Sequence, residues 1–275
     1  MAAAPREVQV THGRSRGALI KLGIGVGILL ASALVAVKHQ REWEYPVIRS
    51  INTYANRSAL LDYFNQVLTE CDLLQGAALV SLLWYLWFRN ENGGIRTQLI
   101  VGTVAASFAG TFSRLLQLVL PTHLRPLHSP EVGFVLPMGV EVARLTHYNS
   151  FPSDHGALFF ALTLVIFRTH HALGLLAFAW ALVLNVARIY EGYHFPSDVV
   201  GSIGLALIVV TLFNNRWFNR IARGIVTCGQ TRQALFYMLA FLLTYQMANL
   251  FIDVRELGHG FADLVLHHNG FGGGG

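Results

Sequence analysis

Residues 151–214 read FPSDHGALFFALTLVIFRTHHALGLLAFAWALVLNVARIYEGYHFPSDVVGSIGLALIVVTLFN. Three apolar runs stand out, 151–168, 172–189 and 199–214, with the polar residues gathered into knots between them. Only Thr169, His170 and His171 separate the first two, which suits a tight helical hairpin. Outward from this stretch the same pattern repeats at 18–37, 73–88, 98–120 and 233–252. Some of these runs fall short of the ~20 residues that a perpendicular membrane helix needs.

Composition supports the pattern. The chain has 275 residues, of which 53% are hydrophobic and only 13% charged. Soluble domains carry about 25% charge, so a water-soluble globule would lack the charge to coat its surface. An ordinary cytosolic enzyme and a disordered chain are both excluded, and a polytopic, all-α membrane helix bundle is expected. The net charge of +5 is not gathered on one amphipathic face, so the expected partner is the bilayer, with no nucleic acid. Cys71 and Cys228 form neither a metal-ligand spacing nor a disulfide framework.

The basic residues orient the bundle. With the N-terminus cytoplasmic, the inner segments hold Arg6, Arg14, Arg16, Lys21, Arg89, Arg96, Arg168, Arg216, Arg220, Arg223 and Arg232, against Glu7 and Glu91 as the only acids there. The flipped topology reverses the bias. Ala31-Ser32-Ala33 resembles a signal-peptide cleavage site, so residues 18–37 read either as a retained span or as a removed leader. The outer segment 38–72 carries Trp43, Tyr45, Ile48, Ile51, Tyr54 and Ala55, which fits an interfacial amphipathic helix. A second outer loop covers 121–150. Cytoplasmic His170 and His171 read as solvated, and His267, His268 and Gly272–Gly275 as tail residues.

Three polar clusters share the outer face. They are Leu124-Arg125-Pro126-Leu127-His128, Phe151-Pro152-Ser153-Asp154-His155 and the segment from Ala187 to Asp198. Each has an ordinary reading. Arg-Pro at a helix exit is a snorkelling anchor, Ser153 is an N-cap, and an interfacial histidine is structural. Together, in a chain so poor in charge, they fit a phosphate ester. Arg125 and Arg188 can each offer a planar fork to non-bridging oxygens. The helix start at Ser153 and Asp154 is an anion site. A neutral imidazole can attack phosphorus, and a carboxylate four residues on can hold it, as in His194 and Asp198. His155 can give a proton to the departing oxygen. Nothing in the set requires a metal or a cofactor.

These clusters resemble the signature of the type 2 phosphatidic acid phosphatase (PAP2) superfamily, membrane lipid phosphatases related to vanadium haloperoxidases. Arg188, His194 and Asp198 match its third motif at every spacing. Pro152-Ser153-Asp154-His155 is similar to its Pro-Ser-Gly-His motif, and Arg125-Pro126 to the end of its first. The resemblance implies a six-helix core with an additional seventh span, 233–252. It also implies that His194 is the nucleophile of a phosphohistidine intermediate and that Asp198 orients it. His155 would be the acid, with Arg125, Arg188 and the Ser153–Asp154 region as phosphate ligands.

Three positions depart from the pattern. Leu118 stands where the family has lysine, and Arg114, one turn earlier, either replaces it or serves as a snorkelling or helix-contact residue. His123 is a weaker substitute. Asp154 replaces glycine, as in variants resembling the branch that acts on polyprenyl diphosphates, and Ala187 replaces serine. Tyr190, Tyr193 and Phe195 are expected to pack around the site, and Glu191 to orient an arginine.

The expected organisation is a tail at 1–17, a membrane domain at 18–252 with its motif-bearing core at about 60–214, and a tail at 253–275. The implied reaction removes the terminal phosphate of undecaprenyl diphosphate or a similar lipid at the outer face. Phosphatidic acid or phosphatidylglycerol phosphate is the alternative substrate. A non-catalytic lipid-phosphate binding or transport protein is the alternative from another class. The sequence does not specify an oligomeric state.

Overall fold

Backbone amides inside hydrocarbon have no water to bond, so the apolar runs of this chain must satisfy themselves as helices. The computed structural model describes residues 6–37, 43–121, 123–141, 149–254 and 257, and of residues 6–15 the backbone alone. The helices are α1 (Arg6–Val37), α2 (Tyr45–Asn52), α3 (Ala59–Glu70), α4 (Ala78–Arg89), α5 (Gly93–Val119), α6 (Asp154–Thr169), α7 (His171–Tyr190), α8 (Pro196–Phe213), α9 (Arg216–Thr231) and α10 (Gln233–Ala248). A π-helical turn at Leu73–Ala77 leads into α4. No strand occurs among the described residues, so the fold is all-α as expected. His267, His268 and the glycine tail lie outside the described residues.

Helix starts follow local chemistry. The Asn92 side chain accepts from the Gly94 and Ile95 amides and opens α5. Ser153 Oγ accepts from Gly156 N–H at 3.1 Å and opens α6. Asn215 does the same for α9 through Trp217 and Phe218. Such caps satisfy amides that have no partner within the helix. The expected run 151–168 therefore becomes a helix only from Asp154, and residues 151–153 form a loop whose Pro152 carbonyl accepts from Ser113 Oγ and Gln117 Nε2.

Helix α6 is the centre of the bundle, enclosed by α4, α5, α7 and α8. Its Leu158, Phe159, Phe160, Leu162 and Ile166 are all buried. At 16 residues it is shorter than a perpendicular span, but protein rather than lipid surrounds it. The α1 segment Arg16–Ala36 and α5, α7 and α8 are long and apolar enough to cross a membrane. Helix α3 and the segment Leu73–Arg89 form a fifth candidate, bent by 70° at the break. Helix α10 is apolar and 16 residues long, ending at Ala248 instead of the expected 252. Leu30 and Leu34 of α1, Leu175 and Val186 of α7, and Phe241 and Leu242 of α10 are exposed. A continuous apolar exterior of this kind is a lipid-facing one.

Amphipathic helices α2, α3 and α9 frame the bundle. The expected interfacial segment becomes α2 and α3. Helix α2 is tied to the 121–150 loop: Arg49 donates from Nε to the Val132 carbonyl at 2.9 Å and from Nη2 to that of Glu131 at 2.8 Å. Residues 215–232, which read in sequence as a basic connector, form α9. There Arg216, Arg220 and Arg223 are exposed while Ala222 and Val226 are buried, and Gln98 of α5 donates to Asn219 at 2.8 Å. The C-terminal ends of α5 and α7 and the N-terminal ends of α6 and α8 come together at the opposite end from α9.

Candidate active site

His194 reaches this junction through a turn that the end of α7 dictates. The Gly192 amide donates to Ile189 and the Tyr193 amide back to Arg188, closing the helix. Gly192 has φ +75°, a left-handed conformation that favours glycine. The ring of His194 is buried, and its Nδ1 lies 3.0 Å from the Ser150 carbonyl oxygen. A carbonyl only accepts, so Nδ1 carries the proton and Nε2 the lone pair. Asp198 Oδ2 is 3.6 Å from Nδ1 and accepts the Phe195 amide at 2.8 Å. The i,i+4 spacing thus brings the carboxylate beside the ring, while Ser150 holds the proton. Burial lowers the His194 pKa from its ordinary 6.5; Asp198 opposes this and the charges of Arg125 and Arg188 reinforce it. The ring is neutral at physiological pH.

His155 is held from both sides. Asp154 Oδ1 lies 2.8 Å from its Nδ1, and Arg188 Nη2 lies 2.8 Å from its Nε2. Arg188 also donates from Nη1 to Gln75 Oε1 at 3.4 Å, and its guanidinium carbon sits 5.7 Å from the Tyr193 ring centroid. Arg125 is 2% exposed. It donates from Nη1 to the Tyr193 carbonyl at 2.6 Å and from Nη2 to the Asn149 carbonyl at 3.2 Å. Its Nε has no hydrogen-bond partner among the described residues, which leaves a buried donor for an anion. Burial lowers its pKa to about 10, with Asp154 and Asp198 pulling upward, so it stays cationic at neutral pH.

Of the remaining expected residues, Ser153 does act as the N-cap of α6, and its own amide donates to the Asp198 carbonyl at 3.1 Å. Its hydroxyl hydrogen is still a donor. Arg114 Nη1 donates to Gln117 at 2.9 Å and stands 4.0 Å from Asp154 Oδ2, whereas Leu118 is 64% exposed. The arginine, not the position of the family lysine, therefore points into the junction. His123 contributes its carbonyl, which accepts the Ser150 amide. Glu191 accepts from Thr69 Oγ1 at 2.7 Å.

Several residues escaped sequence reasoning. Ser150 and Asn149 act through backbone carbonyls, which no motif records, as does Tyr193, expected only to pack around the site. Gln75 lies on the bend before α4, far from the motifs in sequence. Glu44 is fully buried and accepts from the amide and hydroxyl of Ser197 at 2.7 and 2.9 Å. A carboxylate there complements the positive end of α8. Only the four-residue clustering of Asn149-Ser150 before Phe151-Pro152 offered a signal for any of these.

Residues 121–222 match the profile of the PAP2 superfamily. The chain is 24% identical over 169 residues to the undecaprenyl-diphosphatase BcrC of Bacillus subtilis (strain 168), covering 62% of this chain and 81% of that protein. It is 40% identical over 60 residues to the bacitracin transport permease protein BcrC of Bacillus licheniformis, covering 22% of this chain and 30% of that one. Its fold is similar to that of a transmembrane PAP2-type phosphatidylglycerolphosphate phosphatase from Bacillus subtilis, with a TM-score of 0.50 and 16% identity over 70% of this chain and 93% of the other. The ordered motifs and the helical fold that joins them agree with the profile match over residues 121–222: the chain is a membrane phosphatase with a region similar to the PAP2 superfamily.

Proposed function

We propose that the chain hydrolyses the terminal phosphate of a polyprenyl diphosphate such as undecaprenyl diphosphate, at the outer face of a bacterial plasma membrane. The observation that carries the reading is the Nδ1–H of His194 on the Ser150 carbonyl, which turns a buried lone pair on Nε2 toward a junction furnished with two buried arginines. A similar protein named as an undecaprenyl-diphosphatase supports the substrate class. The positive-inside distribution of arginine supports the orientation.

In this mechanism Arg125, Arg188, Ser153 and the first amides of α6 bind the non-bridging oxygens. His194 Nε2 attacks phosphorus and forms a phosphohistidine. Asp198 stabilises the positive charge that grows on the ring. His155 protonates the leaving oxygen, then takes a proton from the water that attacks the phosphohistidine and returns inorganic phosphate. Arg114 offsets the charge of Asp154 beside the substrate. No step calls for a metal ion.

The test is phosphate release by purified protein from a panel of lipid phosphates and diphosphates with chelator present. The expected result is fastest release from the polyprenyl diphosphate, with no loss on chelation. Fastest release from phosphatidic acid or phosphatidylglycerol phosphate would move the assignment to that lipid. No release from any of them, or equal release by His194→Ala, would leave a binding or transport role.

A further inference from the structure

Asp154 is the residue that distinguishes this site from the glycine-bearing motif it resembles. Its Oδ1 accepts both the Nδ1–H of His155 at 2.8 Å and the His155 backbone amide at 2.9 Å. Its Oδ2 faces Arg114 of α5 at 4.0 Å. On the far side of the imidazole, Arg188 of α7 donates to Nε2 at 2.8 Å. A carboxylate only accepts and a guanidinium only donates, so the ring is fixed as the Nδ1–H tautomer with its lone pair toward Arg188. His194, from the turn between α7 and α8, is the other titratable group acting on this pair. The side chains of Asp154 and His155 are 17% and 15% exposed, enough to meet a substrate and dry enough for the charges to couple.

Resting on the phosphatase reading above, we propose that Asp154 is a positioning residue that makes His155 an effective general acid, with Arg114 as its counter-ion. Arg188 donates to the very nitrogen from which a proton must be given. An arriving phosphate draws the Arg188 fork onto its own oxygens, and Nε2 takes up a hydronium proton from bulk solvent, which balances the phosphate's negative charge. The resulting imidazolium is held by the Asp154 carboxylate. In the chemical step the lone pair of His194 Nε2 forms the P–N bond. The P–O bond breaks with its electron pair on the departing oxygen, and the proton on His155 Nε2 passes to that oxygen. The imidazole returns neutral to Asp154. The pair therefore matters most where the leaving oxygen is a poor anion, more for an alkyl phosphate that departs as an alcohol than for a diphosphate that departs as a lipid monophosphate.

The experiment compares wild type, Asp154→Asn, His155→Ala and the double variant on two monoesters, a lipid monophosphate and p-nitrophenyl phosphate. The phenolate leaves without help, so acid catalysis is separated from binding and folding. The expected result for Asp154→Asn is a kcat on the lipid monophosphate lower by about 10–100-fold. Its kcat on the aryl ester falls less than about threefold, and KM is nearly unchanged. The double variant loses no more than His155→Ala, because Asp154 acts through His155. Equal losses on both esters, or an additive double variant, overturn the role of Asp154 while the phosphatase survives. Failure of the wild type on both esters overturns this role of Asp154 while release from a polyprenyl diphosphate keeps the phosphatase reading, and failure on the diphosphate as well overturns both.

Discussion

His194 has two ring nitrogens and, when neutral, one proton; which nitrogen keeps it decides whether the ring can attack. The Ser150 carbonyl accepts from Nδ1, which leaves the lone pair on Nε2, the nucleophile of the proposed reaction. His194→Ala is expected to lower phosphate release by at least about a thousandfold, and rapid quench of the wild type, not of the variant, is expected to trap the acid-labile phosphohistidine of the proposed mechanism. The same burial sets a pH dependence. The His194 pKa is lowered in the folded protein, so between that value and 6.5 the unfolded chain binds the additional proton. The stability from this group is full above 6.5 and is lost as pH falls through that window. The acid limb of kcat/KM, which reports the free enzyme, is expected below pH 6.5; a limb at or above it would contradict the buried neutral ring. At Arg125, charged hydrogen bonds of about 1.5–3 kcal/mol are at stake. Arg125→Lys keeps the charge but loses the fork, and kcat/KM should fall by about tenfold to a hundredfold.

At the scale of elements, the site depends on the turn that ends α7. A Cβ on Gly192 would lie 2.7 Å from the Phe134 ring and 2.9 Å from Leu127, in a conformation with φ +75°. Gly192→Ala is expected to cost about 1–3 kcal/mol, read as a lower thermal midpoint in detergent, together with a fall in kcat because His194 hangs from this turn. An unchanged midpoint would show that the α7–α8 turn tolerates a side chain. The turn was legible in part. Gly192 followed by the Arg188, His194 and Asp198 spacing marked the connection between two apolar runs. The break between α3 and α4 falls where the sequence placed the start of a span, at residue 73, but the π-helical turn Leu73–Ala77 and the 70° bend were not legible, because they depend on packing. That bend carries Gln75 to Arg188. Helix α9 was likewise hidden, since its arginines at 216, 220 and 223 read as inner-face anchors before their helical phase against α5 was known.

At the scale of the whole molecule, the junction lies at one end of the bundle and α9 at the other. Cys71 is at the C-terminal end of α3, beside the bend that meets Arg188, and Cys228 is on α9. Both thiols are free, the first half-buried and the second exposed. A membrane-impermeant maleimide applied to intact cells is expected to label Cys71 alone, and labelling of Cys228 alone would reverse the proposed orientation. The packing of α1 bears on the leader reading. A Cβ on Gly204 would come within 2.7 Å of the Gly25 carbonyl, so α1 and α8 approach backbone to backbone, as small residues allow between membrane helices. This supports a retained span. An N-terminal epitope should stay on the mature protein at full length on a gel, and its loss would restore the cleaved-leader reading.

The sequence by itself determined the all-helical membrane bundle, because apolar runs separated by Arg-rich knots admit no other backbone solution in lipid. It also marked the side chains proposed to meet a phosphate, because Arg188, His194 and Asp198 are joined by a single turn whose spacing is local. What the tertiary structure alone decided is the state of those side chains. Proton positions on His194 and His155 depend on Ser150, Asp154 and Arg188, and the donors on Arg125 and Arg188 are aimed by Tyr193, Asn149 and Gln75. These contacts join distant segments, many through backbone atoms that are the same in every residue, so no pattern of side chains along the chain could reveal them.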